Sequence, residues 1–306
     1  MLRHAIAAVI MLGTTGTAWG ATLKVGANES YKMPSEAIAR AHDGDTIQIE
    51  PGSYIDCAVV KQNNLTIEGV GANVVMTDKP CRGKALLVTN GNNITIRNLT
   101  LQRVRVPDQN GAGIRGQGGN LTIENSRFLD NEDGILIAKN PKATVRIIGS
   151  EFVGNGKCGK DCAHGIYAGQ IAVLDVERSR FFDTHAGHSI KSRAARTVVL
   201  NCDIEDGPNG TSSYQIDIPN GGNALLEGNK LEKGPHAQNY ATAIAIGEGG
   251  VRNASESLLI KNNTLINDTG HDTTFVRNVT ATPAQLSGNV FQGGKVIPLA
   301  GDGSVR

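Results

Sequence analysis

Titratable side chains cluster in three segments near the middle of the chain, at fixed offsets from the apolar anchors Ile166, Ile190 and Ile216. If these anchors point inward from stacked strands, residues one and three positions later face outward, because strand residues alternate faces. Residues two positions before an anchor lie where a turn enters the strand and can splay outward. The side chains gathered on one face are then His164, Tyr167, His188, Lys191, Arg193, Tyr214 and Asp217. Such convergence is typical of an active site.

These residue types suit β-elimination at a uronate, a sugar with a carboxylate on C5. A base removes the C5 proton, a cation neutralises the carboxylate and an acid protonates the leaving oxygen. Lys191 is the candidate base, provided that Arg193 and partial burial disfavour its charged form. The planar guanidinium of Arg193 or Arg115 can donate hydrogen bonds to both oxygens of the carboxylate. The candidate acids are Tyr167, His164 and His188. The candidate substrate-binding residues are Arg115, Tyr214, Asp217, Asp133 and Glu248.

Other functions remain open for the same residues. A C5-epimerase begins with the same proton abstraction as a lyase. A glycoside hydrolase needs two carboxyls roughly 5 to 9.5 Å apart, and Asp133, Asp217 and Glu248 fall on different coils and columns. A non-catalytic carbohydrate-binding or surface-structural protein would show a lateral face without such a cluster. Lys191 beside Asp217 is also consistent with a surface ion pair, which contributes little to stability.

An internal repeat predicts the elements that position these residues. An apolar residue is followed two positions later by Asn, Gly or Arg, and three positions after that by a second apolar residue. The first members, 23 to 34 residues apart, are Ile67, Ile96, Ile123, Ile147, Val176, Val199, Leu226, Ile260 and Leu286. Such irregular spacing is typical of β-solenoids, which accommodate insertions in loops.

Each repeat has the properties of one coil of a solenoid. The apolar pair points inward, and the Asn or Gly between adopts the left-handed conformation that bends the chain. The next residue stacks in a column with neighbours roughly 4.8 Å apart. This column is Ser126, Ser150, Ser179, Cys202, Asn229, Asn263 and Asn289. An antiparallel sandwich does not explain one motif in phase over nine repeats. The predicted fold is therefore all-β, a right-handed parallel β-helix of about nine to ten coils.

The start of the solenoid resembles the pectate-lyase-like β-helix proteins. A predicted cap at about residues 33–45 contains a short amphipathic helix, and Gly-Asp-Thr-Ile at 44–47 and Pro-Gly-Ser-Tyr at 51–54 follow it. The resemblance covers residues 33 to about 292 and implies the fold. It does not imply one reaction, because the superfamily includes lyases, hydrolases, epimerases and inert adhesins.

Within that superfamily, the Lys191 and Arg193 pair is similar to the catalytic residues of chondroitinase B-type and alginate lyases. In those enzymes Lys and Arg usually occupy successive coils, whereas here they share a strand. Polygalacturonases instead cluster aspartates and carry Gly-His-Gly and Arg-x-Lys. Gly187-His188-Ser189 matches the first of these two motifs only in part, and Lys191-x-Arg193 reverses the second. The resemblance thus favours a polysaccharide lyase acting on an acidic glycan.

Residues 1–20 are predicted to be a secretory signal peptide, and residues 21–306 one β-helix domain. A basic start and a short apolar run precede Ala18-Trp19-Gly20, a plausible cleavage site. The run is too short to span a membrane, so the expected location is secreted or periplasmic. Without Arg3 the chain has 29 basic and 29 acidic residues. This balance does not favour a nucleic-acid partner, and the oligomeric state is not predicted.

Five cysteines are an odd number for an exported protein. Cys158 and Cys162, four apart in a loop, are predicted to form a disulfide. Cys57 and Cys81 are about one coil apart and could join adjacent coils, whereas Cys202 is expected to be a buried free thiol. A Cys-x3-Cys spacing without a second matching pair is weak support for a metal site. Calcium is a possible cofactor, with oxygen ligands offered by Asp203, Glu205 and Asp206.

Overall fold

The chain winds through three parallel sheets in the computed structural model, which describes residues 20–306. Each coil contributes one strand to sheet 2, then one to sheet 1 and one to sheet 3. Each strand pairs with its counterpart one coil away, so the sheets run the length of a parallel β-helix. The predicted signal peptide lies outside the described residues except for Gly20. No helix within residues 20–306 has the length and apolar character needed to cross a membrane.

The strands of each sheet follow in chain order. Sheet 1 contains Thr22–Val25, Thr46–Ile49, Thr66–Gly69, Ile94–Arg97, Leu121–Glu124, Asn140–Ile148, Ile171–Glu177, Arg196–Leu200, Asn223–Glu227, Leu258–Lys261, Ala284–Ser287 and Gly303–Val305. Sheet 2 contains Ala58–Val60, Ala85–Thr89, Ala112–Gly116, Asp133–Ile137, Ile166–Ala168, Ile190–Ser192, Ile216–Ile218, Thr242–Ile246, Thr273–Asn278 and Val296–Gly301. Sheet 3 contains Gly52–Tyr54, Val74–Thr77, Thr100–Gln102, Arg127–Leu129, Glu151–Val153, Arg180–Phe182, Asp203–Glu205, Lys230–Lys233, Thr264–Asn267 and Val290–Gly293.

Two further elements complete the described part of the chain. The helix Pro34–Arg40 covers the start of the solenoid and buries Ala37 and Ile38. The side chain of Glu36 accepts hydrogen bonds from the backbone N–H groups of Lys32 and Met33, which fixes the start of this cap helix. The short strands Lys157–Cys158 and Cys162–Ala163 pair antiparallel and form a hairpin in the loop that leads into Ile166–Ala168, a central strand of sheet 2.

The described residues make about eleven coils, somewhat more than the nine to ten predicted. Sheet 1 extends beyond the repeat motif at both ends. Thr22–Val25 pairs with Thr46–Ile49 before the motif begins, and Gly303–Val305 pairs with Ala284–Ser287 after it ends. These terminal strands lack the Asn or Gly turn that marks each repeat. The motif therefore underestimates the number of coils.

The turn within each repeat is left-handed, as predicted from the motif. The backbone φ angle lies between 46° and 68° at Asn98, Asn125, Gly149, Arg178, Asn201, Gly228, Asn262 and Gly288. Asn and Gly tolerate this region better than other residues. Arg178 therefore shows that the coil imposes the turn even where the residue does not favour it.

The column next to these turns forms a continuous ladder of hydrogen bonds. The backbone N–H of Ser126 donates to Ser150 Oγ over 3.2 Å, and the pattern continues coil by coil. Further along, the N–H of Cys202 donates to Asn229 Oδ1 over 2.9 Å, and the N–H of Asn229 to Asn263 Oδ1 over 3.0 Å. The predicted stacking column is thus confirmed, and it satisfies backbone groups that the bend would otherwise leave unpaired.

Stacked aromatic rings fill the middle of the core. Phe128, Phe152 and Phe181 stack with ring centroids 4.7 and 4.5 Å apart. Gly134 faces this stack immediately before an anchor, and a Cβ there would lie 2.8 Å from the Phe152 ring. Because this position faces inward, the residue before it faces outward. His164 and His188 occupy that outward position in the next two coils.

Candidate active site

The strands of sheet 2 pair in the predicted register in the coils that carry the cluster. Ile166, Ile190 and Ile216 are neighbours in the core. On the outer face, Tyr167 pairs with Lys191, and Lys191 pairs with Asp217. Beside this column is a cleft of about 500 Å³, here called the site cleft. All five predicted catalytic residues line it: His164, Tyr167, His188, Lys191 and Arg193.

The two histidines form a ladder in which each ring accepts a backbone hydrogen bond from the next coil. The N–H of His188 donates to His164 Nδ1 over 3.0 Å, and the N–H of Tyr214 donates to His188 Nδ1 over 3.2 Å. The imidazoles stack with centroids 4.8 Å apart. Because Nδ1 is an acceptor in both rings, the neutral form carries its proton on Nε2.

Burial keeps both histidines uncharged at neutral pH. Desolvation, together with the nearby Lys191 ammonium, lowers the pKa of His188 to about 3. Desolvation also holds the pKa of His164 well below its usual value, and the positive charges nearby act in the same direction. The ladder therefore positions neutral rings and does not add positive charge to the site cleft.

Asp217 lies beneath Lys191 and contacts two polar neighbours. Its Oδ2 atom is 3.3 Å from His188 Nε2 and 3.5 Å from Lys191 Nζ. The Asp217 side chain is only 5% exposed. Burial raises its pKa to about 6, although Lys191 acts in the opposite direction. At neutral pH the carboxylate is mainly ionised, and its Oδ2 atom faces both the His188 Nε2–H group and the Lys191 side chain.

Arg193 is held in place by two hydrogen bonds. Its Nε donates to the Tyr167 hydroxyl over 3.0 Å, and its Nη1 donates to Asn220 Oδ1 over 2.6 Å. Asn220 is buried and is itself fixed, since its Nδ2 donates to the Gly250 carbonyl over 2.9 Å. A guanidinium carries five N–H donors. The remaining donors of Arg193 can meet an anion in the site cleft.

The predicted substrate-binding residues lie around the site cleft and not in its lining. Asp133 is buried, and its Oδ1 accepts the backbone N–H of His164 over 2.7 Å, so it supports the histidine ladder. Burial raises the pKa of Asp133 well above its usual value. Arg115 lies on the same outward column as Tyr167, two coils away, with Leu136 between them.

Tyr214 and Glu248 form a separate group next to the column. The Tyr214 hydroxyl donates to Glu248 Oε2 over 2.7 Å, and Glu248 Oε1 lies 2.5 Å from Arg277 Nε. Burial and the bond to Glu248 raise the pKa of Tyr214. If Phe275 is taken as the inward anchor of its strand, alternation places Val276 outward and Arg277 inward. The structure pairs Val276 with Ile244, so Arg277 is the outward residue. Two consecutive buried residues, Phe275 and Val276, made the register ambiguous.

Lys233 and Asn220 are two further residues that the sequence analysis missed. Lys233 is fully buried behind the histidine ladder, and its Nζ donates to the Ser213 carbonyl over 2.5 Å. Burial lowers its pKa to about 8. Ser213 lines the site cleft, so Lys233 fixes part of the wall. The available signal was a lysine two positions after Leu231, on the inward face of its strand.

The cysteines form two disulfides in the described part of the chain. Cys158 and Cys162 are bonded across the hairpin, with Cα atoms 4.1 Å apart. Cys57 and Cys81 are bonded with Cα atoms 5.3 Å apart, and Cys202 is a buried free thiol. The residues of the hairpin tip, Lys160, Asp161 and Cys162, line the site cleft together with the candidate catalytic residues.

The acidic loop considered for calcium does not have the geometry of a metal site. Glu205 forms an ion pair with Lys230, and the buried Asp206 accepts a hydrogen bond from Gln215 over 3.0 Å. Asp203 is exposed. Across residues 20–306, no three His, Cys, Asp or Glu side chains come together in a way that could hold a metal ion.

Comparison with known proteins agrees with the architecture. A family model described as "Right handed beta helix region" matches residues 21–163. An alginate lyase from Paenibacillus sp. str. FPU-7 superposes with a TM-score of 0.57 and 18% identity, over 92% of this chain and 99% of that one. Pectate lyase Pel9A superposes with a TM-score of 0.57 and 13% identity, over 95% and 80%. No curated protein matches the sequence.

The chain is therefore a right-handed parallel β-helix, similar in fold to the pectate-lyase-like proteins, and the predicted fold class is confirmed. At 13% and 18% identity these superpositions show the fold alone. The reaction must be inferred from the side chains of the site cleft, because one β-helix can carry many chemistries.

Proposed function

We propose that this protein is a polysaccharide lyase that cleaves a uronate-containing glycan by β-elimination. The observation that carries the proposal is that an amine, a guanidinium and a phenol line one cleft, on Lys191, Arg193 and Tyr167. These are the three groups that the reaction needs as base, carboxylate neutraliser and acid. Two proteins of the same fold are an alginate lyase and a pectate lyase by name, which supports a glycan substrate.

Lys191 is the proposed base. In its neutral form Nζ takes the C5 proton and becomes an ammonium. Asp217 Oδ2, 3.5 Å away, stabilises this developing positive charge. The His188 Nε2–H group contacts the same carboxylate oxygen and holds it towards Lys191. The buried carboxylate is thus fixed before the reaction begins and needs no reorganisation in the transition state.

Arg193 is the proposed partner of the substrate carboxylate. Loss of the C5 proton places negative charge on that carboxylate, and a planar guanidinium can bind both of its oxygens. The bonds from Arg193 to Tyr167 and Asn220 fix the plane of the guanidinium. In the proposed function, Arg193 therefore neutralises the negative charge of the enolate-like intermediate, and residues of two neighbouring coils set its orientation.

Tyr167 is the proposed acid. Its hydroxyl oxygen accepts a hydrogen bond from Arg193, so its own proton remains available for the leaving oxygen. As the C4–O bond breaks and the C4–C5 double bond forms, that proton moves to the leaving oxygen. The resulting phenolate lies beside the Arg193 guanidinium, which stabilises it. Electrons and protons then balance without added water.

A panel of uronate polymers tests this proposal. The full chain is incubated with alginate, polygalacturonate, hyaluronan and gellan, and ultraviolet absorbance is followed for the unsaturated uronate product. We expect absorbance to rise with at least one polymer and to rise faster at alkaline pH, because a lysine base must first lose its proton. Release of reducing ends without this absorbance would contradict elimination and indicate hydrolysis.

Glycoside hydrolysis is the second candidate, supported by one observation. Asp217 and Glu248 have different surroundings: burial raises the pKa of Asp217, whereas Glu248 interacts with Arg277. Such a difference is typical of an acid and base pair. However, the Asp217 carboxylate already contacts Lys191 and His188, and Glu248 does not line the site cleft. The geometry therefore favours elimination over hydrolysis.

A further inference from the structure

A short chain of hydrogen bonds leads from the buried Lys233 to the His188 ring. Lys233 Nζ donates to the Ser213 carbonyl over 2.5 Å. The N–H of Tyr214 donates to His188 Nδ1 over 3.2 Å. The Ser213 carbonyl and the Tyr214 N–H belong to the same planar peptide group, because an amide joins the carbonyl of one residue to the nitrogen of the next. A cation on one side of this peptide therefore acts on the ring on its other side.

The far side of the His188 ring faces the proposed base. His188 Nε2 lies 3.3 Å from Asp217 Oδ2, and the same oxygen lies 3.5 Å from Lys191 Nζ. In a neutral ring, Nε2 can donate to the carboxylate only in the tautomer whose Nδ1 carries no proton and accepts. A stronger hydrogen bond to Nδ1 thus favours the ring state that holds Asp217 towards Lys191.

A charged side chain is costly at the position of Lys233, which is fully buried. Burial lowers its pKa to about 8, and Asp206 acts in the opposite direction, so the amine is mainly protonated at neutral pH. The next coil shows that the turn does not need a charge. Asn267 pairs with Lys233 in sheet 3, and its uncharged Nδ2 donates to the His271 and Lys295 carbonyls over 2.7 and 2.9 Å. An amide therefore suffices to hold turn carbonyls, and the ammonium requires another explanation.

The charge of Lys233 has an effect that a neutral amide has to a lesser degree. Hydrogen bonds to ionised groups are stronger than those between neutral groups. In a low-dielectric interior, successive hydrogen bonds also polarise one another, so a cation on the peptide oxygen makes the N–H of that peptide a better donor. The backbone of Ser213 is fixed as well, because its own N–H donates to the Gly187 carbonyl over 2.6 Å. The peptide is thus both oriented and polarised towards His188.

We infer that Lys233 is a positioning residue that sets the tautomer of His188 through the peptide between them. In this tautomer, His188 holds Asp217 against the proposed base Lys191. Lys233 does not line the site cleft, so it acts through these groups and does not contact the substrate. The catalytic part of the inference rests on the proposed function, whereas the tautomer is a property of the protein alone.

Nitrogen NMR of the full chain with isotopically labelled histidine tests the tautomer. The ring nitrogens of His188, assigned by their loss in His188→Asn, differ in chemical shift according to which one carries the proton. We expect the Nε2–H tautomer in the wild type and a measurable loss of it in Lys233→Met, which keeps the length of the side chain without its charge. Lys230→Met is the matched control, because Lys230 lies on the same strand, is exposed and pairs with Glu205.

Steady-state kinetics with a confirmed substrate gives a second readout. Lys233→Met should lower kcat by about tenfold, roughly the effect of weakening one hydrogen bond in the site, while KM changes little. Lys233→Gln keeps an N–H donor without the charge and should show smaller changes in the same direction, both in kcat and in the His188 shifts. It also replaces Lys233→Met if that variant does not fold.

The tautomer and the turnover separate this inference from the proposed function. The Nδ1–H tautomer in the wild type, or unchanged His188 shifts in a folded Lys233 variant, would overturn the inference and show that Lys233 only holds the turn. Either result leaves the elimination assay free to succeed. Conversely, altered His188 shifts in the variants, with no unsaturated product from the wild type, would support the positioning of His188 and contradict the lyase.

Discussion

Asp217 contacts two of the candidate catalytic residues and links them within the site. It is a buried carboxylate between a lysine and a neutral histidine, and it belongs to a column that repeats at every coil. Elsewhere on the solenoid, such columns hold surface ion pairs, which contribute little to stability. Burial of Asp217 makes the contact with Lys191 specific, since a desolvated carboxylate interacts strongly with a charge that develops beside it.

Replacing Lys191 with Ala should abolish turnover of a confirmed substrate while leaving the fold intact. We expect a loss of at least about 10²-fold in kcat, the usual contribution of a general base. The side chain faces outward and is 18% exposed, so thermal unfolding should change little. Lys142→Ala, at an exposed position of sheet 1, is the control. If Lys191→Ala retained near wild-type activity, Lys191 and Asp217 would be only a structural ion pair.

Replacing Arg193 with Lys should also impair turnover, although the charge is retained. A lysine ammonium cannot bond Tyr167, Asn220 and a substrate carboxylate in one plane. We expect kcat to fall by about tenfold or more, as one preorganised electrostatic contact is lost. Steady-state kinetics with the same substrate measures this. Wild-type kcat in both variants would place the active site elsewhere, with Asp217 and Glu248 as the next pair to test.

The buried His188 should also make the free energy of unfolding depend on pH. The pKa of His188 falls from 6.5 to about 3 on folding, so between these values the unfolded chain binds a proton that the folded chain does not. Stability therefore falls as pH drops through this window. Asp217 opposes the loss between about 6 and 3.8, because its pKa is raised on folding.

The variant His188→Asn isolates the contribution of His188, since its amide oxygen can still accept the Tyr214 N–H. Between about pH 5 and 6.5, its urea midpoint should fall less steeply than that of the wild type. His185→Asn is the matched control because His185 is half exposed and pairs with Asp183. If the urea midpoints of the wild type and of His188→Asn fall equally with pH, His188 does not cause this pH dependence of stability.

At the scale of the elements, the hydrogen-bonded column stabilises the turns of neighbouring coils. Asn229 shows this most fully: its Oδ1 accepts from the Cys202 N–H, and its Nδ2 donates to the Val199 carbonyl and to Asn263 Oδ1. Earlier coils use Ser at the same position, with a hydroxyl in place of the amide. The column thus accepts either side chain if it offers an oxygen to the coil before it.

Asn229→Ala should lower the free energy of unfolding by about 2 to 4 kcal/mol, because buried backbone groups of two coils lose their partners. Asn229→Ser should recover part of this loss, since Ser150 and Ser179 fill the same position in earlier coils. Urea denaturation of the three proteins measures the differences. Equal stability of wild type and Asn229→Ala would show that water replaces the column without cost.

The elements were predictable where one short motif sets their geometry. The left-handed turns, the inward anchors and the stacking column all follow from the types of neighbouring residues. Alternation does not identify the inward anchor of Thr273–Asn278, because the adjacent residues Phe275 and Val276 both enter the core. The contacts of Asn220 and Lys233 could not be predicted from the sequence, because their partners lie in other coils. Contacts of that kind depend on loop paths that no local pattern encodes.

The β-helix brings segments that are distant in sequence into one straight column. Tyr167, Lys191 and Asp217 are 24 and 26 residues apart in sequence and adjacent in sheet 2. Strand spacing of roughly 4.8 Å then places consecutive side chains within reach of one sugar ring. The predicted cluster could be found from the sequence for this reason.

Lys191, Arg193 and Tyr167 are proposed to cleave a glycan by elimination. Mass spectrometry of the products from a defined uronate oligosaccharide tests it most directly, because elimination adds no water. We expect a fragment with an unsaturated uronate at its non-reducing end, one water lighter than the corresponding hydrolytic fragment, and we expect it to be absent with Lys191→Ala. Fragments that carry the added water would contradict elimination and indicate that the site cleft catalyses hydrolysis.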